Sequence, residues 1–596
     1  VQFLDAREML DGRIMAIIRP FDHPELGGAI TIIDTPTYVE NTQPVVSSAG
    51  MIGPAQTPAT PNAARTDLLP SPGGRYSSAF PLWDGTGRVV TSWAVCRLTE
   101  PDPDDPTAEI YVPCTDERLA AANPVVAPPL YGVWMYDPAT QTQLPIVIGE
   151  EGVLIAEVVA AQPRSRPTSI PDKVSGVDLD ADLVAEGVGI LNIRSVYDID
   201  GVAAGDITAL ADPVITPAAN RPARFLRIEK AVSIPDADIV DLNDTAFGPN
   251  LSQGMREILA YAPIEPDGSV RVKVPANVAF AVSVLDANGR RITARHQNWL
   301  QVMPGQELKC NGCHSPQSGL SHGRSEAFAS AYAGATSTGV PFANSVAAFS
   351  PDVGETMAET RTRVSCQTDC AALEPRVDLV YDDVWTDPAA ATPAAPLSYE
   401  YLNLTTPLPA DINCISNWSP TCRVVINYEA HIHPLWSAPR QVLDTDGVTV
   451  LADHTCAQGG CHASVDAMNA PMIPAGQLDL TDGLSADEPD QFNAYRELLF
   501  ADNLQVLSNG ALQDDQVQIG VDATGNPIFA PVSIDPPMSA AGASASRFFS
   551  CFDAGGAGCP TQPHQGYLSP DELRLIAEWL DIGAQYYNNP FDVPVM

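Results

Sequence analysis

The chain has 596 residues, enough for several domains, and a formal net charge of −41, with only four lysines, Lys173, Lys230, Lys273 and Lys309. That balance argues against nucleic acid and anionic membrane surfaces as partners and suits an acidic secreted surface or docking to a basic redox partner. No apolar run is long enough to span a bilayer.

The first part reads as β structure. Residues 12–19 and 29–34 form one pair of strands, and residues 87–94 and 131–137 another. Each pair follows an Asp-Gly turn (Asp11-Gly12, Asp84-Gly85) and ends on Asp, the rhythm of β-propeller blades, with a Pro-rich insertion carrying Cys96 and Cys114 inside the second. Two blades cannot close a propeller. Residues 1–175 are therefore expected to be the C-terminal part of a longer propeller, its other blades preceding Val1 or supplied by a partner. Residues 176–305 read as a β-sandwich-like middle domain: Val270, Val272 and Val274 alternate onto one face after the Asp267-Gly268 turn. A hairpin follows, from residues 279–285 through Asp286-Ala-Asn-Gly289 to residues 291–294. Within this domain Asp198-Ile-Asp200-Gly201 has carboxylates at calcium-ligand spacing but stops short of an EF-hand loop, so a turn is the first expectation and calcium the second.

Residues 306–395 are read as a first haem segment followed by a linker, because Cys310-Asn-Gly-Cys313-His314 is the C-x-x-C-H signature of c-type haem attachment. Two thiols a short loop apart can form thioethers to both vinyl groups of one porphyrin, and the adjacent His offers a nitrogen to the iron. For the opposite face of that iron, His296, before the motif, ranks first and His322, in Ser318-Gly-Leu-Ser-His322-Gly-Arg324, second. A vacant sixth position is the third option. Residues 385–400, with Pro388, Pro393 and Pro396, look like a linker into the last domain.

Residues 396–596 read as a cytochrome c-like domain with a second haem. Cys456-Ala-Gln-Gly-Gly-Cys461-His462 repeats the attachment grammar with a longer loop, which Gly459-Gly460 can close. His564 is the expected distal ligand, with Met468 and Met472 as runners-up, while His431 and His433 could approach either haem. Arg295 and Arg324 are candidates to pair with haem propionates against the plainer reading as surface arginines. Ser569-Pro-Asp-Glu572 is a capping box that starts a terminal helix with an apolar stripe of Leu573, Ile576, Ala577 and Leu580, stopped by Gly583. The fold class is thus mainly β with a C-terminal α-helical part.

The eight cysteines outside the two motifs fall into sequence neighbours, 96 with 114, 366 with 370, 414 with 422 and 551 with 559, which are expected to form disulfides. The loop between Cys366 and Cys370 is the shortest and restricts disulfide geometry most. Disulfides and covalent haem both point outside a reducing cytoplasm, to the bacterial periplasm or beyond the cell, with an export signal expected ahead of Val1.

Several of these segments together carry a resemblance. Asp267-Gly-Ser-Val270, Val274-Pro-Ala276, Leu285-Asp-Ala287 and Pro304-Gly305, leading into Cys310-Asn-Gly-Cys-His314, resemble the hydrazine synthase alpha-subunit-like family of multihaem c-type cytochromes. His431-Ile-His-Pro-Leu-Trp436 and the ending Leu573-Arg-Leu-Ile-Ala-Glu-Trp579 look like the terminal part of the same proteins. The resemblance implies one haem able to act on nitrogen compounds and a second, bis-His haem that relays electrons. Enzymes of the family use a Tyr four residues after the first motif's His as an iron ligand; this chain has Ser318 there, which counts against hydrazine synthesis. The leading expectation is a dihaem protein that transfers electrons between redox partners. An enzyme with an open first iron, acting on NO, a nitrogen hydride or peroxide, is the alternative, and a haem-bearing component of a larger complex is a third class.

Overall fold

A computed structural model describes the chain except for Pro106, Ser165, Pro167 and residues 250–253, 316–326, 367–369, 554–563 and 594–596. Most of its regular structure is β, and the chain divides into two compact units, Val1–Asp172 with His314–Ala329, and Lys173–Cys313 with Ser330–Met596.

The first unit contains two four-stranded antiparallel sheets, each with its strands side by side in chain order. Gln2–Glu8, Ile14–Arg19, Ala29–Ile33 and Gln56–Pro58 make the first; Arg75–Pro81, Val89–Ala94, Tyr131–Asp137 and Thr142–Val147 make the second. Met15, Ile17 and Ile30 of one sheet and Tyr76, Ala79, Val89 and Tyr136 of the other share a core. Asp5, in the left-handed region at φ 52°, interrupts the first strand, and its carboxylate accepts from Ser78 Oγ (2.5 Å) and Ala79 N (3.1 Å) of the second sheet. The excursion between Val89–Ala94 and Tyr131–Asp137 builds its own three-stranded sheet, closed by the Cys96–Cys114 disulfide. Among the described residues these sheets close no barrel.

The second unit opens on two three-stranded sheets. Val188–Ile193 lies between antiparallel Val270–Pro275 and parallel Glu307–Cys310; Phe225–Ala231 lies between Arg256–Pro263 and Ala281–Leu285, antiparallel to both. Leu191, Ile193, Val270, Val272 and Val274 from one sheet and Leu226, Ile228 and Leu259 from the other fill a common core. Residues 291–294, expected to complete a hairpin, begin it but form no strand: Arg291 makes an isolated antiparallel bridge to Leu285 and Ile292 N–H donates to Val284 O (2.9 Å), while Phe225–Ala231 is the strand paired with Ala281–Leu285. The Arg291 backbone N–H donates to the Asp581 carboxylate at 3.0 Å.

The terminal helix Pro570–Asp581 has the capping box of Ser569 and Glu572 and Pro570 at its start. It is buried almost all round, not only along an apolar stripe, because its polar residues are paired. Arg574 donates to Glu578 (2.7 Å), Asp378 (3.2 Å) and Val377 O (2.6 Å); Glu578 accepts from Tyr261 OH (2.5 Å) and Tyr401 OH (2.9 Å). Asp581 receives Arg227 at 3.2 Å from the sheet beneath. A buried charge keeps its ionised form only with such partners.

Two further stretches depart from the sequence reading. Residues 385–400 are packed, not a free connection: Trp385 is buried and its indole donates to Glu265 (2.6 Å), and Leu397–Tyr399 pairs with Leu379–Tyr381. The C-terminal part is also less helical than expected, since short antiparallel strands fill most of residues 502–534 between the helices Asn493–Leu499 and Pro570–Asp581. Disulfides join Cys96–Cys114, Cys366–Cys370 and Cys414–Cys422; Cys551 is also disulfide-bonded, and Cys559 lies outside the described residues.

Candidate functional site

The loop from Cys456 to His462 is folded by its own backbone. His462 N–H donates to Cys456 O (3.1 Å) and Cys461 N–H to Gln458 O (3.0 Å). Gly460 sits at φ 95°, and a Cβ on Gly459 would come within 2.9 Å of the Asp466 backbone, so both glycines are needed. The loop is tied outward as well, with Ala457 N–H on Trp436 O (2.9 Å) and Leu480 N–H on His462 O (2.9 Å). Arg440 ties it to the terminal helix, donating to both Glu572 oxygens at 2.9 and 2.8 Å while its backbone brackets residues 454 and 455.

The His462 and His564 rings stand with centroids 5.9 Å apart and planes at 35°. They border a cavity of about 310 Å³ that Cys456 also lines, together with Trp436, Leu478, Leu480, Phe500, Phe548 and Phe552. Two imidazoles that each hold one metal at about 2 Å have centroids about 6 Å apart, so this pair has the spacing of two axial ligands. Burial and the neighbouring His564 hold the His462 pKa below its ordinary value, which keeps the ring neutral, the form that binds metal. Cys456 and Cys461 are free thiols, and burial raises the Cys456 pKa. Donor types and ring spacing fit a haem c that Cys456 and Cys461 would anchor and His462 and His564 would ligate.

The polar side of the cavity holds Glu497, Asp502, Asp535 and Arg547. Burial pushes the Glu497 pKa up to about 7, although its oxygens accept from Asp479 N–H (2.7 Å) and Asn493 Nδ2 (2.9 Å). Nothing in the local sequence marks Glu497 or Arg440 as part of a site; the fold brings both there. The other candidates for this region lie elsewhere. Met468 is 86% exposed, and neither it nor Met472 lines the cavity. His433 Nε2 pairs with Asp482 (2.9 Å) and its ring stacks on Phe492. His431 lies in the turn Tyr428–Ile432 with Nδ1 against Asn427 N–H (2.9 Å).

Cys310 closes the strand Glu307–Cys310, and Cys310 and Cys313 are both free thiols packed against the core of the middle sheets. The loop between them is fastened to residues 194–200: Cys313 N–H donates to Asp198 O (2.8 Å), Asp200 N–H to Cys313 O (3.1 Å) and Arg194 N–H to Cys310 O (2.9 Å). Gly312 permits the approach, since a Cβ there would lie 2.2 Å from Asp198 O. Burial raises both thiols, Cys313 to about 11. The Asp198 carboxylate accepts from Gly201 N–H (2.8 Å), Ser330 Oγ (3.1 Å) and Ala331 N–H (2.7 Å), so it braces the turn beneath the thiol loop. Among the described residues no group of three or more His, Cys, Asp or Glu side chains gathers as a metal site.

Cys310 and Cys313 belong to the second compact unit, and His314, exposed, to the first. His296 is half-buried; His322, Ser318 and Arg324 lie outside the described residues. Arg295 is also half-buried, donates to Asp581 O (2.7 Å), and has its pKa lowered to about 10 by burial and by Arg291.

Residues 227–315, which run through the middle sheets and end just past the first attachment motif, match the family model for the hydrazine synthase alpha subunit middle domain. That segment of the chain is similar to the hydrazine synthase alpha subunit's middle domain. Among solved structures a chain of Kuenenia stuttgartiensis hydrazine synthase is similar at 15% identity and a TM-score of 0.39, over 99% of this chain and 62% of that one. This chain spans less than two thirds of that relative's length. No curated protein matches it in sequence.

Proposed function

We propose that this hydrazine synthase alpha-like protein is an extracytoplasmic dihaem c-type cytochrome that passes electrons between redox partners in the periplasm or outside the cell, as part of a larger complex. The observation that carries the reading is the His462–His564 pair, with ring centroids 5.9 Å apart beside a cavity that Cys456 also lines, so that both residues could hold the second haem. A haem c at each motif would supply one-electron chemistry at iron. Cys310 with Cys313, and Cys456 with Cys461, would anchor the two groups, and His314 and His462 would be their proximal ligands. Around the second, Trp436, Phe548 and Phe552 exclude water, and Arg547 is the cation that lines its cavity. The two four-stranded sheets of Val1–Asp172 fit blades of a β-propeller, each a four-stranded meander in chain order.

A second reading rests on the matched middle domain, which carries the first motif: an enzyme acting on a small nitrogen compound or peroxide at an open first iron. Visible spectra of the haem-loaded protein, oxidised and reduced, with and without CO, separate the two. Low-spin bands unmoved by CO in the wild type, with a CO-binding iron created by His564→Ala, are expected for electron transfer. A CO-shifted Soret band already present in the wild type, and still present when His564 is replaced, would move the assignment to an enzyme at His314.

A further inference from the structure

The strand pair Asp502–Asn503 and Ser533–Ile534 forms the rim of the His462–His564 cavity, which Asp502, Ile534 and Asp535 line. Two hairpins grow from this root, Gln505–Ser508 with Ala511–Asp514, then Gln516–Val521 with Pro527–Pro531. The outer one is a ribbon of two strands, and every residue of Gln516–Val521 is exposed. Val517, Ile519, Val521, Ile528 and Phe529 are 43 to 65% exposed, on a ribbon kinked by a bulge between Gln518 and Gly520. A lone two-stranded hairpin is marginal in water, and this one exposes apolar side chains on both faces, Val517 and Ile528 on one and Val521 and Phe529 on the other, which marks a ribbon built to be covered.

Charge decides what covers it. Residues 501–546 hold five aspartates, 502, 514, 515, 522 and 535, and no Lys, Arg, His or Glu. Hydrogen bonds from Thr524 and Asn526 hold the Asp522 carboxyl far below the ordinary range, so its charge is permanent. A second copy of this chain would bring five aspartates and a net charge of −41 against the same number, and an anionic membrane is repelled in the same way. A cationic protein with an apolar contact face is attracted and can cover the ribbon.

We propose that the ribbon Gln516–Val521/Pro527–Pro531 is the docking arm for a cationic redox protein, which it seats at the rim of the second haem cavity. The redox half of this inference rests on the function proposed above; the docking half does not. The test uses the haem-loaded full chain and a lysine-rich mitochondrial-type cytochrome c as the cationic probe, with affinity measured by calorimetry and electron transfer by stopped-flow mixing. The charge-neutral variant Ile519→Ser/Phe529→Ser and the variant Asp514→Asn/Asp515→Asn/Asp522→Asn are each expected to weaken binding about tenfold or more, with haem content and spectrum unchanged. Added salt is expected to weaken wild-type binding. Wild-type affinity in the serine variant would overturn the proposal, because the probe would then be held by the general acidic surface. A wild type that sediments as a dimer which the serine variant dissolves would overturn it in favour of a second copy. If the probe binds through the ribbon but is neither reduced nor oxidised, docking stands and the electron-transfer function fails.

Discussion

Glu497 sets burial against charge beside the candidate site, and its pH dependence follows. Its pKa is raised from 4.5 in the free side chain to about 7 in the folded protein, chiefly by burial. The folded state therefore binds the proton more tightly than the unfolded chain. The favourable contribution is complete below about pH 4.5 and is lost as pH rises through 7, where a charged carboxylate has to stay buried. Glu497→Gln cannot ionise, so it should raise the thermal midpoint relative to wild type at pH 8, by a free energy of at most about 3 kcal/mol. At pH 5 it should give no gain, because the wild type is already protonated there and the amide loses one of the two hydrogen bonds from Asp479 and Asn493. Equal midpoint shifts at the two pH values would show that Glu497 does not titrate between them. Cys456, Cys461 and His462 are readable in sequence because the attachment pattern is local. Glu497 is not, since it reaches the cavity only through the packing of its helix and owes its raised pKa to that burial.

At the scale of elements, the terminal helix joins local and distant causes at one residue. Glu572 closes the capping box by accepting from Ser569 N–H (2.7 Å), and it also accepts both donors of Arg440 beside the Cys456 loop. Ser569→Ala removes only the cap hydrogen bond to Glu572 N–H, for an expected loss of about 1 kcal/mol. Glu572→Ala keeps that bond but removes the acceptor of Ser569 N–H and leaves a mostly buried guanidinium without its carboxylate, so its loss should be larger, about 3 kcal/mol or more. Denaturant unfolding of the two variants checks the order, and equal losses would mean that the Arg440 pair contributes nothing. The start of this helix is legible because a capping box is a four-residue pattern. Its buried polar face is not, because Arg574 finds Asp378 and Asp581 finds Arg227 across long stretches of chain. The same limit explains residues 385–400, where Pro and Ala read as a linker but the Trp385 indole is pinned to Glu265. Strands 14–19, 29–33, 89–94 and 131–137 follow their apolar runs closely, whereas the hairpins of residues 502–534 have strands whose exposed faces carry no burial pattern to read.

For the whole molecule, the chemistry of its cysteines joins the two motifs to the place where the chain matures. Cys96, Cys114, Cys366, Cys370, Cys414, Cys422 and Cys551 are in disulfides, while Cys310, Cys313, Cys456 and Cys461 are not. Surroundings that oxidise the first group would also oxidise two thiols separated by two residues, as in Cys310 and Cys313, unless something else consumed them first. Thioether bonds to porphyrin vinyl groups would do so irreversibly. Alkylation of the denatured, unreduced protein should therefore label none of these four cysteines when the chain is exported by cells able to attach haem c. Chain made in a reducing cytoplasm without that machinery should be labelled at all four, and its mass should lack both porphyrins. Reduction before alkylation separates the remaining explanation, because a Cys310–Cys313 disulfide becomes labelled after reduction and a thioether does not. Exported protein whose four cysteines are labelled only after reduction would remove covalent haem from both motifs, and the electron-transfer proposal would fall with it.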